Sequence, residues 1–504
     1  MYRIATVVFL AALSLGASPP PSETRQILAS AAREMGRFAP GAVIELQGSI
    51  TAEGRTGDYR ERVRSSDGAF MSRARYASFS EADGFNGHLR WKQDRSGASH
   101  PLNAPFSRAD AVTLAWLKRR GFLVAGSAKV RGLKHEIIGG SPATILSMQP
   151  PNGQPVDLAF DDASHLLVQV ERVRPLSIIK ESYSDYRQVG RFKAPFKVTI
   201  DDRGDIQHIH PVRYVTAKAA SFSPPPNPRD TVLKTASILP LQAKGFAVVP
   251  ATINGHQYDF ILDTGGHNIV TPAIVAELGL IAEGSGTSGG SGPGRVPTSD
   301  THISELKLGS ATMTDQHFTV LDLGNAVKRK DKPPLAGILG LEIFERMAVT
   351  INEAGGTLTI EPFVAGRRCA GDKVPLLFDD DQPSAAGKID GIPALIGIDV
   401  GNAGPPIVLW RWAEANRLAE RFRQGKQGSG SGVGGSNITY LTPHHDIVVG
   451  KTVIHDVEVN YATTPTGYFS SRADSMNLGR TLLENHVVRF DYAQTHMCIT
   501  PSVQ

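Results

Sequence analysis

Two stretches of this chain, 136 residues apart, read as an apolar strand running into Asp-x-Gly. They are Tyr258-Asp-Phe-Ile-Leu-Asp263-Thr264-Gly265 and Ala394-Leu-Ile-Gly-Ile-Asp399-Val400-Gly401. Each continues into a helix-like segment, then a Gly/Ser-rich loop (284–294 and 425–435), then Leu-Gly and a closing hairpin. In the first copy Thr271-Pro272 reads as a cap with a first-turn proline, and Gly279 as the stop. The closing segments that start at Ile338 and Asn477 align without a gap at an offset of 139, which also matches Ile360–Pro362 to Ile499–Pro501. A sequence that repeats itself at this length predicts one structural unit built twice, over about 239–362 and 374–501.

Residues 20–225 read differently. A helix is expected around Glu23–Arg37, where Ile27, Ala31 and Met35 recur at helical spacing. Short extended runs follow at 42–50, 59–64, 69–76 and 88–93, then a helix at 109–120. Further strands are expected at 143–149, 156–160, 166–172 and 196–200, with turn pairs at Asn152-Gly153 and Arg203-Gly204. This pattern predicts a sheet-rich α+β domain of antiparallel hairpins. Three consecutive prolines within Phe222–Pro228 make a stiff linker. The expected division is therefore a leader at 1–18, this domain at 20–225, a linker at 226–238 and two lobes at 239–366 and 370–504.

The leader follows from residues 1–18: a short basic start, an apolar run from Ile4 to Leu15, then Gly16, Ala17 and Ser18. That run is too short to span a bilayer but has the form of a cleavable secretory signal, so a periplasmic or secreted protein is expected. No Cys follows it to carry a lipid, and no later stretch is long and apolar enough to span. With 53 Lys+Arg against 49 Asp+Glu, the net charge of +4 is too small and diffuse for a nucleic-acid or membrane-surface protein. Two cysteines rule out a disulfide-stapled scaffold and a Cys-ligated metal centre. Whether Cys369 and Cys498 pair is left open.

An aspartate ending a buried apolar strand is costly unless its charge is managed. The following Gly lets the backbone turn and bring N–H groups to the carboxylate. Two such strands related by a pseudo-twofold would set Asp263 beside Asp399, and like carboxylates in contact hold one proton between them. The ionised member can deprotonate a water while the protonated member donates to a substrate carbonyl. No metal or other cofactor is called for.

On these residues the C-terminal half (239–501) resembles the aspartic peptidases, in particular the bacterial retropepsin-like proteins with two fused copies. Asp263-Thr264-Gly265 and Ile338-Leu339-Gly340 fit that family's motifs, and the Gly-rich loops fall where the family has flaps. The resemblance implies a duplicated, bilobal aspartic-protease-like β-barrel unit, so that with the N-terminal domain the expected chain is mainly β, a curved antiparallel α+β domain followed by that unit. It implies Asp263 and Asp399 as the catalytic pair, supported by Thr264, Gly265 and Gly401, and a peptide or protein substrate. The second copy departs from the pattern. The family has Thr or Ser after the Asp, whose hydroxyl bonds to the opposite lobe, whereas this chain has Val400; and Asn477 stands where an apolar residue belongs.

Segments 83–87, 91–97 and 184–186 resemble the curved-sheet domains of bacterial lipoprotein carriers, which implies a half-barrel cupping an acyl chain or a substrate segment. A packing or inhibitory pro-domain is the other reading, and no site residue is assigned there. Three further motifs are set aside. Gly286–Gly290 matches Gly-x-Ser-x-Gly but lies in low-complexity sequence. Gly450-Lys451-Thr452 resembles the end of a phosphate loop, but His445 stands where Gly is required. His444-His445 lacks metal-site spacing. The leading expectation is an exported aspartic endopeptidase acting as a bilobal monomer. A homodimer pairing two copies of Asp263, and a non-catalytic peptide- or lipid-binding protein, are the alternatives.

Overall fold

The computed structural model describes residues 21–217, 220–242, 245–330, 332–463 and 466–502. The expected leader at 1–18 lies outside them. The fold is mainly β: a curved N-terminal antiparallel sheet is followed by two lobes of matching topology. Among the described residues no helix is long and apolar enough to cross a membrane.

The N-terminal sheet has 13 strands. Its chain starts in the middle with Val43–Ala52 and meanders through six strands to one edge at Ser99–Leu102. The helix Pro105–Lys118 carries it to the opposite edge at Lys129–Ile138. Seven strands then meander back, and Asp205–Ala217 closes beside Val43–Ala52. The predicted turn at Arg203-Gly204 is present with both residues at positive φ (57° and 87°), joining Asp202 to Asp205 across a two-residue hairpin. The first helix runs Pro21–Met35 and buries Leu28, Ala31 and Met35 against Trp116, Phe122 and Phe160. Five strands were not expected: Ser80–Phe85, Ser99–Leu102, Lys129–Ile138, Ile178–Val189 and Asp205–Ala217. Much of their surface is polar or exposed, so apolar runs do not mark them.

The proline-rich segment packs against the sheet: Phe222 is buried and its carbonyl accepts from Trp91 Nε1 at 2.9 Å. Beyond it, Thr231–Val232 and Ser237–Pro240 already belong to the sheets of the C-terminal half.

In the first lobe the hairpin Val248–Ile253/His256–Leu262 lies beside Gly337–Leu339 in parallel, in the register Phe260↔Gly337 to Leu262↔Leu339. In the second, Pro383–Ile389/Ile392–Ile398 lies beside Met476–Leu478 in parallel, from Ile396↔Met476 to Ile398↔Leu478. The helices Pro272–Glu277 and Trp410–Ala415 follow at matching places. Thr271 precedes the first helix but its hydroxyl makes no capping bond; Pro272 at the first position sets that start. A six-stranded sheet joins the lobes, three strands from each, with Ala348–Asn352 and His486–Asp491 paired antiparallel at its centre. Above it Phe344, Phe490, Tyr492 and Phe378 form one aromatic cluster with centroids 5.1–6.4 Å apart. Cys369 and Cys498 are joined in a disulfide that ties the segment between the lobes to the last strand, with Cα atoms 5.6 Å apart.

The N-terminal sheet is fastened to both lobes by charged groups, buried around Arg346 and half-buried around Lys92. Arg346 is paired with Asp230 at 2.8 Å and Asp94 at 3.4 Å, and donates to the Ser96 carbonyl. Lys92 reaches Asp381 at 2.7 Å and Asp380 at 2.9 Å, and Ser107 N donates to Asp379 at 2.7 Å. Such groups tolerate burial only because each finds a partner. His100 Nδ1 lies 2.7 Å from Glu345, whose charge also acts on the Asp94 carboxyl. Burial pushes Glu345 up to about 7.

Glu345 therefore takes up a proton on folding when the pH lies between its unfolded value and about 7. Its contribution to stability is present at low pH and is lost as the pH rises through that window. Calorimetric Tm measured from pH 4 to 8 is expected to fall less steeply in Glu345→Gln than in the parent between pH 4.5 and 7. Parallel curves would contradict the assignment.

Candidate active site

The two Asp-x-Gly loops are built by the same bonds. Buried Phe260, Ile261 and Leu262 lead to Asp263, whose N–H donates to the Leu339 carbonyl at 3.0 Å. Buried Ile396 and Ile398 lead to Asp399, whose N–H donates to the Leu478 carbonyl at 2.8 Å. Gly265 N donates back to Asp263 Oδ1 at 2.7 Å, and Gly401 N to Asp399 Oδ1 at 3.0 Å. Leu341 N donates to Gly266 O at 2.8 Å, and Arg480 N to Asn402 O at 3.0 Å. The downstream glycines are required by packing: a Cβ on Gly340 would lie 2.2 Å from Gly266 O, and one on Gly479 2.3 Å from Asn402 O.

The loops meet face to face. A Cβ on Gly265 would stand 2.9 Å from Asp399 Cγ, and one on Gly401 2.4 Å from Asp263 Cγ. All five residues singled out in the sequence, Asp263, Thr264, Gly265, Asp399 and Gly401, are thus brought to one place. Each carboxyl lies against the glycine of the opposite loop, close enough for the charge of one acid to act on the other. Burial first, and then the charge of Asp399, hold the Asp263 carboxyl well above the usual range, against the opposing pull of the Gly265 and Gly401 N–H groups.

Thr264 is fully buried and crosses between the lobes. Its hydroxyl donates to Ile398 O at 2.7 Å and accepts from Val400 N at 3.0 Å. Val400 is buried without a matching hydroxyl, as expected, so this side-chain lock rests on Thr264. Asn477 looks like a defect in the sequence, but its Nδ2 donates to Asp399 Oδ2 at 2.6 Å. The available signal was a polar residue in a slot that the other copy fills with Ile338. His267, also unremarked in the sequence, lies between Glu342 (2.8 Å) and Asp381 (3.0 Å). Burial alone would lower its pKa, but the two carboxylates outweigh this and hold it well above the usual value. The first Asp loop is thereby anchored to the second lobe.

Both Gly/Ser runs are β-hairpins: Glu283–Gly289 with Arg295–Leu308, and Lys426–Gly432 with Gly435–Val449. Their tips touch. Gly292 N donates to Val433 O and Gly294 N to Gly434 O, both at 2.8 Å. The first hairpin is also tied to the Tyr468 N–H through Gly290 O at 2.9 Å. The Tyr468 hydroxyl donates to Asp474 at 2.9 Å and lies 2.3 Å from where a Gly397 Cβ would be, beside the second Asp strand. The N-terminal sheet grips this hairpin as well. Ser285 N donates to Glu53 O at 2.8 Å, Thr287 to Asp205 at 2.9 Å, and Arg295 pairs with Asp205. Arg55 bonds Glu283 O and Asp300, and Arg95 meets Asp300 at 3.1 Å.

The motifs set aside have structural roles. Gly286–Gly290 is part of the first hairpin. Gly450-Lys451 is a hairpin turn held by Asp372, which accepts from Lys451 N at 2.5 Å and Thr452 N at 3.0 Å. His444 and His445 pair with Asp456 and Asp390. A separate cavity of about 450 Å³ lies in the N-terminal sheet, and the carboxyl pair is not among its lining residues.

Residues 249–343, from the strand before Asp263 through the helix after Gly340, match the aspartyl protease family model. No curated protein matches the chain in sequence. Among solved structures, an aspartic proteinase from Irpex lacteus is similar at 12% identity and a TM-score of 0.36, over 53% of this chain and 97% of the other. A DUF1329 family protein from Desulfovibrio piger ATCC 29098 is similar at 10% identity and a TM-score of 0.29, over 40% of this chain and 95% of the other.

Two measurements check this geometry. Thr264→Val removes both inter-lobe bonds from a buried site and is expected to cost about 1–3 kcal/mol in urea unfolding; an unchanged midpoint would contradict the lock. Asp205→Ala is expected to speed amide hydrogen exchange across 283–300, and unchanged exchange there would contradict the grip.

Proposed function

We propose that this chain is an exported aspartic-type endopeptidase that hydrolyses peptide bonds with Asp263 and Asp399 as its catalytic pair. The observation that carries this reading is the carboxyl pair itself. Two acids sit on equivalent strands, each takes an N–H from its own loop, and each lies against the glycine of the other loop. Half-buried carboxyls this close share one proton, which supplies an acid and a base together. The base takes a proton from water as the water attacks the substrate carbonyl, and the acid protonates the carbonyl oxygen. The two hairpins whose tips meet would open to admit a peptide and close over it. One chain supplies both acids, which favours a monomer over the homodimer. In this reading residues 1–18 direct export to the periplasm or medium, residues 20–225 form a separate domain, and lobes 239–366 and 370–504 arose by internal duplication.

The test is a complex peptide library incubated with the full chain from pH 3 to 8, with cleavage read by mass spectrometry. Turnover is expected to fall by about 10³-fold or more in both Asp263→Asn and Asp399→Asn. Because activity needs one proton on the pair, and Asp263 is held well above the usual carboxylate range, turnover should be lost only as the pH rises well past that range. Cleavage that survives both substitutions, or no cleavage by the parent at any pH, would overturn the proposal.

A further inference from the structure

The environments of the two acids differ at one slot. Beside Asp263 the neighbouring strand offers Ile338; at the equivalent place beside Asp399 it offers the amide of Asn477, which is buried. An amide can present either its oxygen or its nitrogen to a carboxyl, and here the surrounding bonds decide which. Gly404 N–H can only donate, and it donates to Asn402 Oδ1 at 3.0 Å. That turns Asn402 Nδ2 toward Asn477 Oδ1, at 2.8 Å. Asn477 is left with Nδ2 facing Asp399 Oδ2, at 2.6 Å. A backbone donor at one end of the relay thus fixes a side-chain donor at the other.

We propose that Asn477 is a positioning residue that marks Asp399 as the proton acceptor of the pair and leaves the shared proton on Asp263. This rests on the hydrolytic reading above and assigns its roles. Water's oxygen bonds to the carbonyl carbon while one water proton passes to Asp399. The carbonyl π pair moves to its oxygen, which takes the proton from Asp263. The product is a neutral gem-diol, and the pair again holds one proton. Asp399 Oδ1 also accepts from Gly401 N, so each of its oxygens has a fixed donor, whereas Asp263 has no side-chain amide at the matching slot.

Other titratable groups near the pair are Tyr468, whose hydroxyl lies beside the second Asp strand at Gly397 with Asp474 behind it, and Tyr492, on which the Asp263 charge acts. Burial holds both phenols well above their usual range, and Asp474 is pushed up to about 6. All three are shared by parent and variants, so differences between pH profiles report the relay.

The test compares kcat/KM from pH 2.5 to 8 for the full chain, Asn477→Leu and Asn402→Ala. Asn477→Leu restores an apolar slot like that of Ile338, so a purely packing role would leave the profile in place. Loss of the donor should instead move the acid limb, where the pair's single negative charge is titrated, upward by about one pH unit. It should also lower kcat more than it changes KM. Asn402→Ala should shift the limb the same way by a smaller amount, and it decides the matter if Asn477→Leu does not fold. Superimposable acid limbs among active proteins would overturn the role of Asn477. If the parent has no turnover, the hydrolytic reading fails separately. A ¹³Cγ-aspartate NMR titration of the same proteins, assigned with Asp263→Asn and Asp399→Asn, then reads the pair directly. The same upward shift supports the relay, and coincident titrations reject it.

Discussion

Much of the C-terminal half of this protein follows from one close approach. Two carboxyls, each at the end of a buried strand, are held in contact by loops that cannot accommodate a Cβ at Gly265 or Gly401. Like charges do not collect at one place unless the surrounding structure holds them there. Here the holding is done by the six-stranded sheet beneath, by the aromatic cluster on it, and by Thr264 reaching across with both of its hydrogen-bonding capacities. The symmetry of the backbone bonds makes the approach possible, and the asymmetry of the side chains makes the two acids inequivalent.

The N-terminal sheet is part of the same assembly. Lys92, His100 and Ser107 bond residues of the lobes, and Glu53, Arg55 and Asp205 hold the first glycine-rich hairpin. The second hairpin meets the first at its tip through backbone bonds. Motion of the paired hairpins is therefore coupled to contacts made by the N-terminal sheet. Asp381 connects the regions directly, since it accepts from Lys92 of that sheet and from His267 in the first Asp loop.

Where the sequence was legible, a strong local pattern was present. The Asp-x-Gly strands, the Leu-Gly segments and the Arg203-Gly204 turn carry periodicity or backbone demands that few other arrangements satisfy. The strand Ile178–Val189 was not legible: it alternates little and exposes much of its length, and its place depends on its neighbours at 167–173 and 192–202. Asn477 was legible as a departure from the pattern but not as a partner of Asp399, because that hydrogen bond joins residues 78 positions apart. His267 gave no signal, since its two carboxylate partners lie 75 and 114 residues away.

By itself the sequence determined that an apolar strand running into an acid and a glycine occurs twice. Composition and periodicity are local, and a repeat preserves them whatever the two halves do in space. Only the tertiary structure decided that the acids meet, that the glycine-rich runs form hairpins touching at their tips, and that Asn477 faces Asp399. Those facts depend on distances between residues far apart in the chain, which are fixed when the two lobes close on their common sheet.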